Sequence, residues 1–123
     1  MKTLYIWGTG NDATRLTKEY PILAIYARSF VDSAKWTKDM FFRGKRVVSP
    51  DCIIWDNCFV IIATRKYFIE ISGYLDRKGL KREVDYCGYE NAYYRWMYAF
   101  QDSESIKKKI ILEENLRVES LYH

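Results

Sequence analysis

Short apolar runs alternate with amphipathic segments along the first two thirds of the chain. Residues 3–7 are β-branched and aromatic and stop at Gly8, which predicts a strand followed by a turn. Residues 11–20 have helical spacing, with Asn11 or Asp12 as the cap, and Pro21 is expected to stop this helix. A second strand is expected at the end of the run 22–32.

The same alternation continues through the middle of the chain. An extended piece is predicted at residues 46–48, and Ser49-Pro50-Asp51 is typical of a brief helix that begins at a proline. Residues 58–64 (CFVIIAT) are apolar on both faces, as expected of a parallel strand that helices cover. A helix over 67–78 and a last strand over 84–87 complete a strand–helix order that predicts a parallel sheet of four to five strands.

The last third is aromatic and has a different pattern, so we divide the chain into residues 1–88 and a C-terminal extension, 89–123. The stretch ENAYYRWMYAF predicts a helix with rings on more than one side. We expect Tyr94, Trp96 and Tyr98 to contact a second molecule, either another subunit or a partner enzyme. The alternative is that the end of the chain folds back over them. Residues 103–123 fit a helix or a hairpin equally well.

Composition excludes several classes of function. The chain has 123 residues, enough for one core, and a net charge of +4 without a basic cluster that would favour nucleic acid. We expect a cytoplasmic protein without membrane insertion, because no secretory signal or long apolar stretch is present. The three cysteines and the one histidine, His123, predict neither disulfides nor a metal site, and no catalytic constellation is evident.

The turn after the first strand carries the main functional signal. Residues 8–13 fit the pattern G-x-G-x-x-A, a variant of the dinucleotide-binding fingerprint. Gly8 permits the sharp turn, Gly10 lets a phosphate approach the backbone, and Ala13 allows close packing of helix and strand. Asp32 follows Gly10 by 22 residues, at the end of the second strand, where a ribose would be bound. This context predicts a three-layer, Rossmann-like α/β fold with a C-terminal aromatic helical extension.

Three loops are expected to meet at the carboxyl ends of the strands, where ligands of open α/β sheets bind. The same residues have a second interpretation, in which the glycines serve only the turn, Asp32 caps the next segment and the loop cations are solvated. Asp12 would also place a negative charge near the phosphate. The predicted nucleotide-binding residues are Gly8, Thr9, Gly10, Asn11, Asp12, Ala13, Asp32, Ser33, Lys35, Thr64 and Arg65.

Four segments in order carry a resemblance to a known family: YIWGTG, SFVDSAKW, FFRGKRVVSPD and VIIAT…YFIEISGYLDRKGL. Over about residues 3–87 the chain resembles the Rossmann-like N-terminal modules of bacterial sugar acetyltransferases and of some sugar- or lipid-modifying methyltransferases. The resemblance implies a domain that holds a nucleotide, most often a nucleotide-sugar, beside a separate catalytic domain. Gly8, Gly10 and Asp32 match the binding positions, whereas Thr9 and residues 11–12 depart from the small residues often found there.

The expected function is therefore accessory rather than catalytic. Neither hexapeptide repeats nor a methyltransferase domain is present in the sequence. The resemblance implies nucleotide or nucleotide-sugar binding in bacterial glycan or surface-polysaccharide assembly, with a glycan-biosynthesis enzyme as partner or with self-association; NAD is an alternative cofactor. Two other functions stay open: an interaction or oligomerisation module that has lost its ligand, and a minimal nucleotide-dependent sugar-modifying enzyme.

Overall fold

The computed structural model describes residues 2–33 and 40–100, which form a mixed α/β fold around one six-stranded, mostly parallel sheet. A single turn of 3₁₀ helix, Pro50–Cys52, joins two of the strands. The elements in chain order are β1 (Thr3–Trp7), α1 (Asn11–Glu19), α2 (Pro21–Tyr26), β2 (Ala27–Val31), β3 (Phe41–Phe42), β4 (Lys45–Val48), β5 (Cys58–Ile62), α3 (Phe68–Arg77), β6 (Tyr86–Cys87) and α4 (Ala92–Ala99).

The strand order, β3-β4-β2-β1-β5-β6, places β1 at the centre of the sheet. β1 pairs in parallel with β2 on one side and with β5 on the other, where Thr3 is opposite Cys58 and Trp7 is opposite Ile62. The chain therefore leaves β1 toward one edge and later returns to build the other. The loops that follow β1, β2 and β5 meet at the point where this direction changes, which is where open α/β sheets bind ligands.

Alternate residues of β1 point to opposite faces of the sheet, and each face has its own apolar cluster. Leu4 and Ile6 pack with residues of α1, α2 and α4. Tyr5 and Trp7 pack with Ile71 and other residues from the α3 side. All five residues of β5 are buried, which confirms the prediction of a strand covered on both faces.

Most predicted elements are confirmed, but the expected number of strands is wrong. The additional strand, β3, pairs antiparallel with β4 through a two-residue turn, Arg43-Gly44, in which both residues have positive φ (51° and 79°). Turns of this kind match the twist of the flanking strands, yet Arg-Gly is not among their usual sequences. β3 has only two residues, so its apolar pattern is too short to predict a strand.

Pro21 has a second role beyond ending α1. It is the first residue of α2, where its fixed φ is favourable and its missing N–H has no intrahelical acceptor to lose. Among the described residues, no helix combines the length and apolar character that a membrane crossing requires.

Candidate functional site

The turn between β1 and α1 is tightly bound to both neighbouring strands. The Gly8 N–H donates to the Val31 carbonyl at 2.8 Å, and the Ala63 N–H donates to the Trp7 carbonyl at 2.8 Å. Gly8 has φ of +135°, and a Cβ there would lie 2.9 Å from the Ala63 carbonyl oxygen. Only glycine fits this position, because both the backbone conformation and the space exclude a side chain.

Gly10 has the opposite surroundings. It is exposed, and a Cβ at this position would meet no heavy atom within 4 Å. α1 begins at the next residue. The N–H groups of its first turn have no acceptor within the helix, and Gly10, the N-cap residue, has no side chain to cap them. Ala13 is fully buried where α1 packs on the sheet. The residues of the fingerprint therefore form a glycine turn with open backbone at the start of a helix.

Asp32 lies directly after β2 and its carboxylate contacts the turn. The Thr9 hydroxyl donates a 2.6 Å hydrogen bond to Asp32 Oδ2, and the Asp32 N–H donates to the Val48 carbonyl at 3.1 Å. The side chain is half-buried, whereas the next predicted site residue, Ser33, is exposed. Lys35 lies outside the described residues. The structure thus places the predicted ribose-binding carboxylate beside the glycine turn.

An ion pair joins the turn to the loop after β5. The Arg65 N–H donates to Asp12 Oδ2 at 2.9 Å, and the Arg65 guanidinium donates to Asp12 Oδ1 at 3.0 Å. These hydrogen bonds lower the pKa of Asp12 and raise that of Arg65. Asp12 is therefore ionised near the start of α1, where the helix dipole favours anions. Arg65 neutralises the charge of Asp12.

A cavity of about 270 Å³ opens beside this ion pair, beyond the ends of β5 and β6. Arg65 belongs to both places: it lines the cavity and stacks 5.0 Å above the ring of Tyr89, another lining residue. Of the residues that line this cavity, the sequence predicts only Thr64 and Arg65 as site residues. The missed lining residues are Phe68, Arg82, Glu83, Gly88, Tyr89, Glu90 and Asn91.

A signal for this second region was present in the sequence. Gly88 follows a short buried strand and precedes α4, so the segment CGYENA repeats the strand–glycine–helix order of the first turn. This pattern does not reveal which side chains from α3 and its following loop face the opening, because those residues are distant in sequence.

α4 presents a shallow recess of about 430 Å³, lined by Asn91, Tyr94, Arg95 and Tyr98. Tyr94 and Tyr98 are 58% and 65% exposed, as the interface prediction requires, but nothing in the structure shows what contacts them. The prediction is wrong for Trp96, which is fully buried, because its ring faces the core and packs on Tyr93 and Phe100.

The described residues offer binding groups more clearly than reactive ones. No group of three or more potential metal ligands is found in the ranges 2–33 and 40–100. All three cysteines are free thiols, and burial raises the pKa of Cys58 and of Cys87, so both are protonated near neutral pH. The polar groups at the carboxyl edge of the sheet include the carboxylates of Asp12 and Asp32 and the open backbone at Gly10.

Comparisons of the chain with protein-family models, with curated proteins and with solved structures return no match.

Proposed function

We propose that this chain is a three-layer, Rossmann-like domain that binds a nucleotide or nucleotide-sugar at residues 8–13, as an accessory component of bacterial glycan or surface-polysaccharide assembly. Support for the layered arrangement comes from the parallel pairing of β1 with both neighbours and from the helices that contribute to the clusters on the two faces. The pathway follows from the resemblance alone, whereas the geometry of the turn supports the binding site.

One juxtaposition carries the proposal. The unobstructed backbone at Gly10 and the carboxylate of Asp32 lie on adjacent loops, and the Thr9–Asp32 hydrogen bond of 2.6 Å joins these loops directly. A phosphate needs the open backbone at Gly10, because a side chain there would keep it from the helix amides. A ribose needs the Asp32 carboxylate, which accepts hydrogen bonds from the ribose hydroxyl groups.

In the proposed complex the diphosphate lies over Gly10 and the first turn of α1. The ribose hydroxyl groups donate to Asp32, whose carboxylate Thr9 holds in position. Thr9 is 9% exposed, so its hydroxyl is held by the surrounding structure rather than by solvent. The site is thus preorganised on the ribose side, which lowers the entropic cost of binding.

Asp12 opposes the phosphate in this arrangement. Its carboxylate is ionised and lies at the start of α1, while its partner Arg65 is about half exposed. We propose that the phosphate and Asp12 compete for Arg65, so the ion pair weakens ligand binding. Binding then requires the guanidinium to be shared or to turn toward the ligand.

Thermal shift against a panel of UDP, CDP, GDP, NAD and UDP-glucose tests the proposal. At least one compound is expected to raise the melting temperature, because a ligand specific for the folded state stabilises it. Asp32→Asn should weaken binding of that compound by about 10-fold, since a hydrogen bond to a charged group contributes about 1.5–3 kcal/mol. Asp56→Asn, an exposed change next to the start of β5, is the matched control. A panel without any shift, or equal binding by Asp32→Asn, would reject the nucleotide site.

The exposed rings of α4 favour a second candidate, an interaction module. Tyr94 and Tyr98 lie on the solvent side of α4 and border one recess. If they mediate self-association, Tyr94→Glu with Tyr98→Glu should increase the elution volume of the protein on size exclusion. If the wild type and the double variant both elute as monomers, self-association is excluded.

A further inference from the structure

We propose that the cavity beyond β5 and β6 receives the sugar ring of a nucleotide-sugar, as a neutral, polyhydroxylated group. This inference rests on the proposed function and specifies its ligand class. The position, charge, side-chain chemistry and size of the cavity support it.

The cavity lies next to the proposed phosphate site, and Arg65 joins the two. Arg65 lines it and also binds Asp12 at the start of α1. Thr64, another lining residue, follows Ala63, the residue against which Gly8 packs. A group attached to the far side of a diphosphate at Gly10, away from Asp32, would therefore reach this cavity.

Charge balance favours a neutral occupant. Two arginines, Arg65 and Arg82, and two glutamates, Glu83 and Glu90, line the cavity. Arg65 is already paired with Asp12, and the Glu83 carboxylate is paired with Arg95 at 2.5 Å. Formal charges of opposite sign cancel, so the site offers no excess positive charge for a second phosphate.

The lining side chains match the needs of a sugar. Within the described part of the chain, the side chains of Thr64, Glu90 and Asn91 make no hydrogen bond. A hydroxyl, a carboxylate and an amide together supply the donors and acceptors that neighbouring sugar hydroxyl groups use. Phe68 and Tyr89 contribute apolar walls for the C–H faces of a ring.

The size of the cavity suits one sugar ring. Its volume of about 270 Å³ is just below the range of about 300–1,000 Å³ that drug-sized ligands occupy. A monosaccharide is smaller than a drug-sized ligand, so one ring fits this space.

The experiment compares nucleoside diphosphates with their sugar conjugates by isothermal titration of the full chain. The probes are UDP with UDP-glucose and UDP-N-acetylglucosamine, CDP with CDP-glucose, and GDP with GDP-mannose. At least one conjugate should bind about 10-fold more tightly than its diphosphate, because two or more added hydrogen bonds each contribute about 0.5–1.5 kcal/mol. Glu90→Gln and Asn91→Ala should each remove about 3- to 10-fold of that advantage, measured as the ratio of conjugate to diphosphate affinity in the same variant.

Glu70→Gln, an exposed change on α3 away from the cavity lining, is the control and should have no effect. Equal affinity for each diphosphate and its conjugate would overturn the sugar assignment and leave the phosphate site intact. An advantage that survives both cavity variants would also overturn it, because the sugar would then bind elsewhere. If no diphosphate and no conjugate binds, the proposed function fails and this inference fails with it.

Discussion

The carboxyl edge of the sheet has two regions that offer different groups to a ligand. At β1 and β2, side chains are already engaged with each other, Thr9 with Asp32 and Asp12 with Arg65, while the backbone at Gly10 is open. At β5 and β6, a cavity is present, and the side chains of Thr64, Glu90 and Asn91 make no hydrogen bond within the described residues. The first region is suited to an anion bound by main-chain amides, and the second to a group recognised by side chains.

This difference explains why one region is visible in the sequence and the other is not. Recognition by backbone requires glycines at fixed spacing, which a short pattern records. Recognition by side chains draws on α3, the loop before β6 and the start of α4, which only the fold brings together.

The largest expected effect distinguishes the two glycines of the turn. Gly8→Ala should lower the free energy of unfolding by about 2–4 kcal/mol, because alanine at φ +135° is strained and its Cβ would contact the Ala63 carbonyl at 2.9 Å. Gly10→Ala should lower it by no more than about 1 kcal/mol, because alanine is a poorer N-cap residue than glycine but has space at this position. Urea unfolding measures both, and equal stability of the two variants would contradict the proposed division between a structural and a ligand-facing glycine.

The second prediction concerns the ion pair at the turn. Asp12→Asn should bind a nucleotide about 3- to 10-fold more tightly, because it removes a negative charge next to the phosphate and releases Arg65. The gain should shrink at high salt, since both groups are partly exposed. Glu70→Gln serves as the charge-matched control. Unchanged or weaker binding by Asp12→Asn would show that the carboxylate does not compete with the ligand.

The same variant has a pH signature in the unliganded protein. The folded-state pKa of Asp12 is lowered from 3.8, so the stabilisation by the pair is fully present above pH 3.8 and is lost as the pH falls through the lower folded value. The difference in unfolding free energy between wild type and Asp12→Asn should therefore vanish in acid. Because exposed pairs contribute about 0–1 kcal/mol, the difference at pH 7 is small.

A third prediction concerns the hydrogen bond that joins β6 to α3. The Tyr86 hydroxyl donates to Asp76 Oδ1 at 2.5 Å, and burial together with this bond raises the pKa of Tyr86 to about 12. Tyr86→Phe should cost about 1 kcal/mol at pH 7. Because the folded pKa is raised, the wild-type advantage should persist up to pH 10 and decline as the pH rises to about 12. A difference that does not change over this interval would exclude the bond as its origin.

A small effect is expected at Gly88. A Cβ there would lie 2.9 Å from Phe68 Cε2, an atom at the far end of a side chain that can rotate away. Gly88→Ala should therefore cost less than about 1 kcal/mol, in contrast to Gly8→Ala. A loss as large as that of Gly8→Ala would mean that the β6 turn is as constrained as the β1 turn.

The sequence predicts the regular elements well because their signals are local. β5 is confirmed by its continuous apolar run, and the start of α1 by the glycine turn that precedes it. β3 is missed because two residues carry no period, and Trp96 is wrongly placed at an interface because a helix with aromatic rings on several sides does not indicate which side faces the core.

The candidate site is predicted only where it depends on spacing. Gly10 and Asp32 follow from the fingerprint, and the structure places them on adjacent loops. The pairing of Asp12 with Arg65 spans 53 residues and depends on the order of the strands, so no local pattern reveals it. The sequence therefore predicts where an anion would approach, and the fold shows that Asp12 and Arg65 are paired beside this position.

The most direct test is nucleotide titration of Gly10→Val beside the wild type, using whichever diphosphate or sugar conjugate of the panel gives the largest thermal shift. Gly10 is extended, at φ −96° and ψ −154°, and a Cβ there meets nothing within 4 Å, so the variant should fold. Its melting temperature should fall only slightly, because valine is a poorer N-cap residue than glycine. Affinity should fall by at least about 10-fold, because the valine side chain occupies the space where the phosphate meets the helix amides. Equal affinity in a folded Gly10→Val variant would contradict the account.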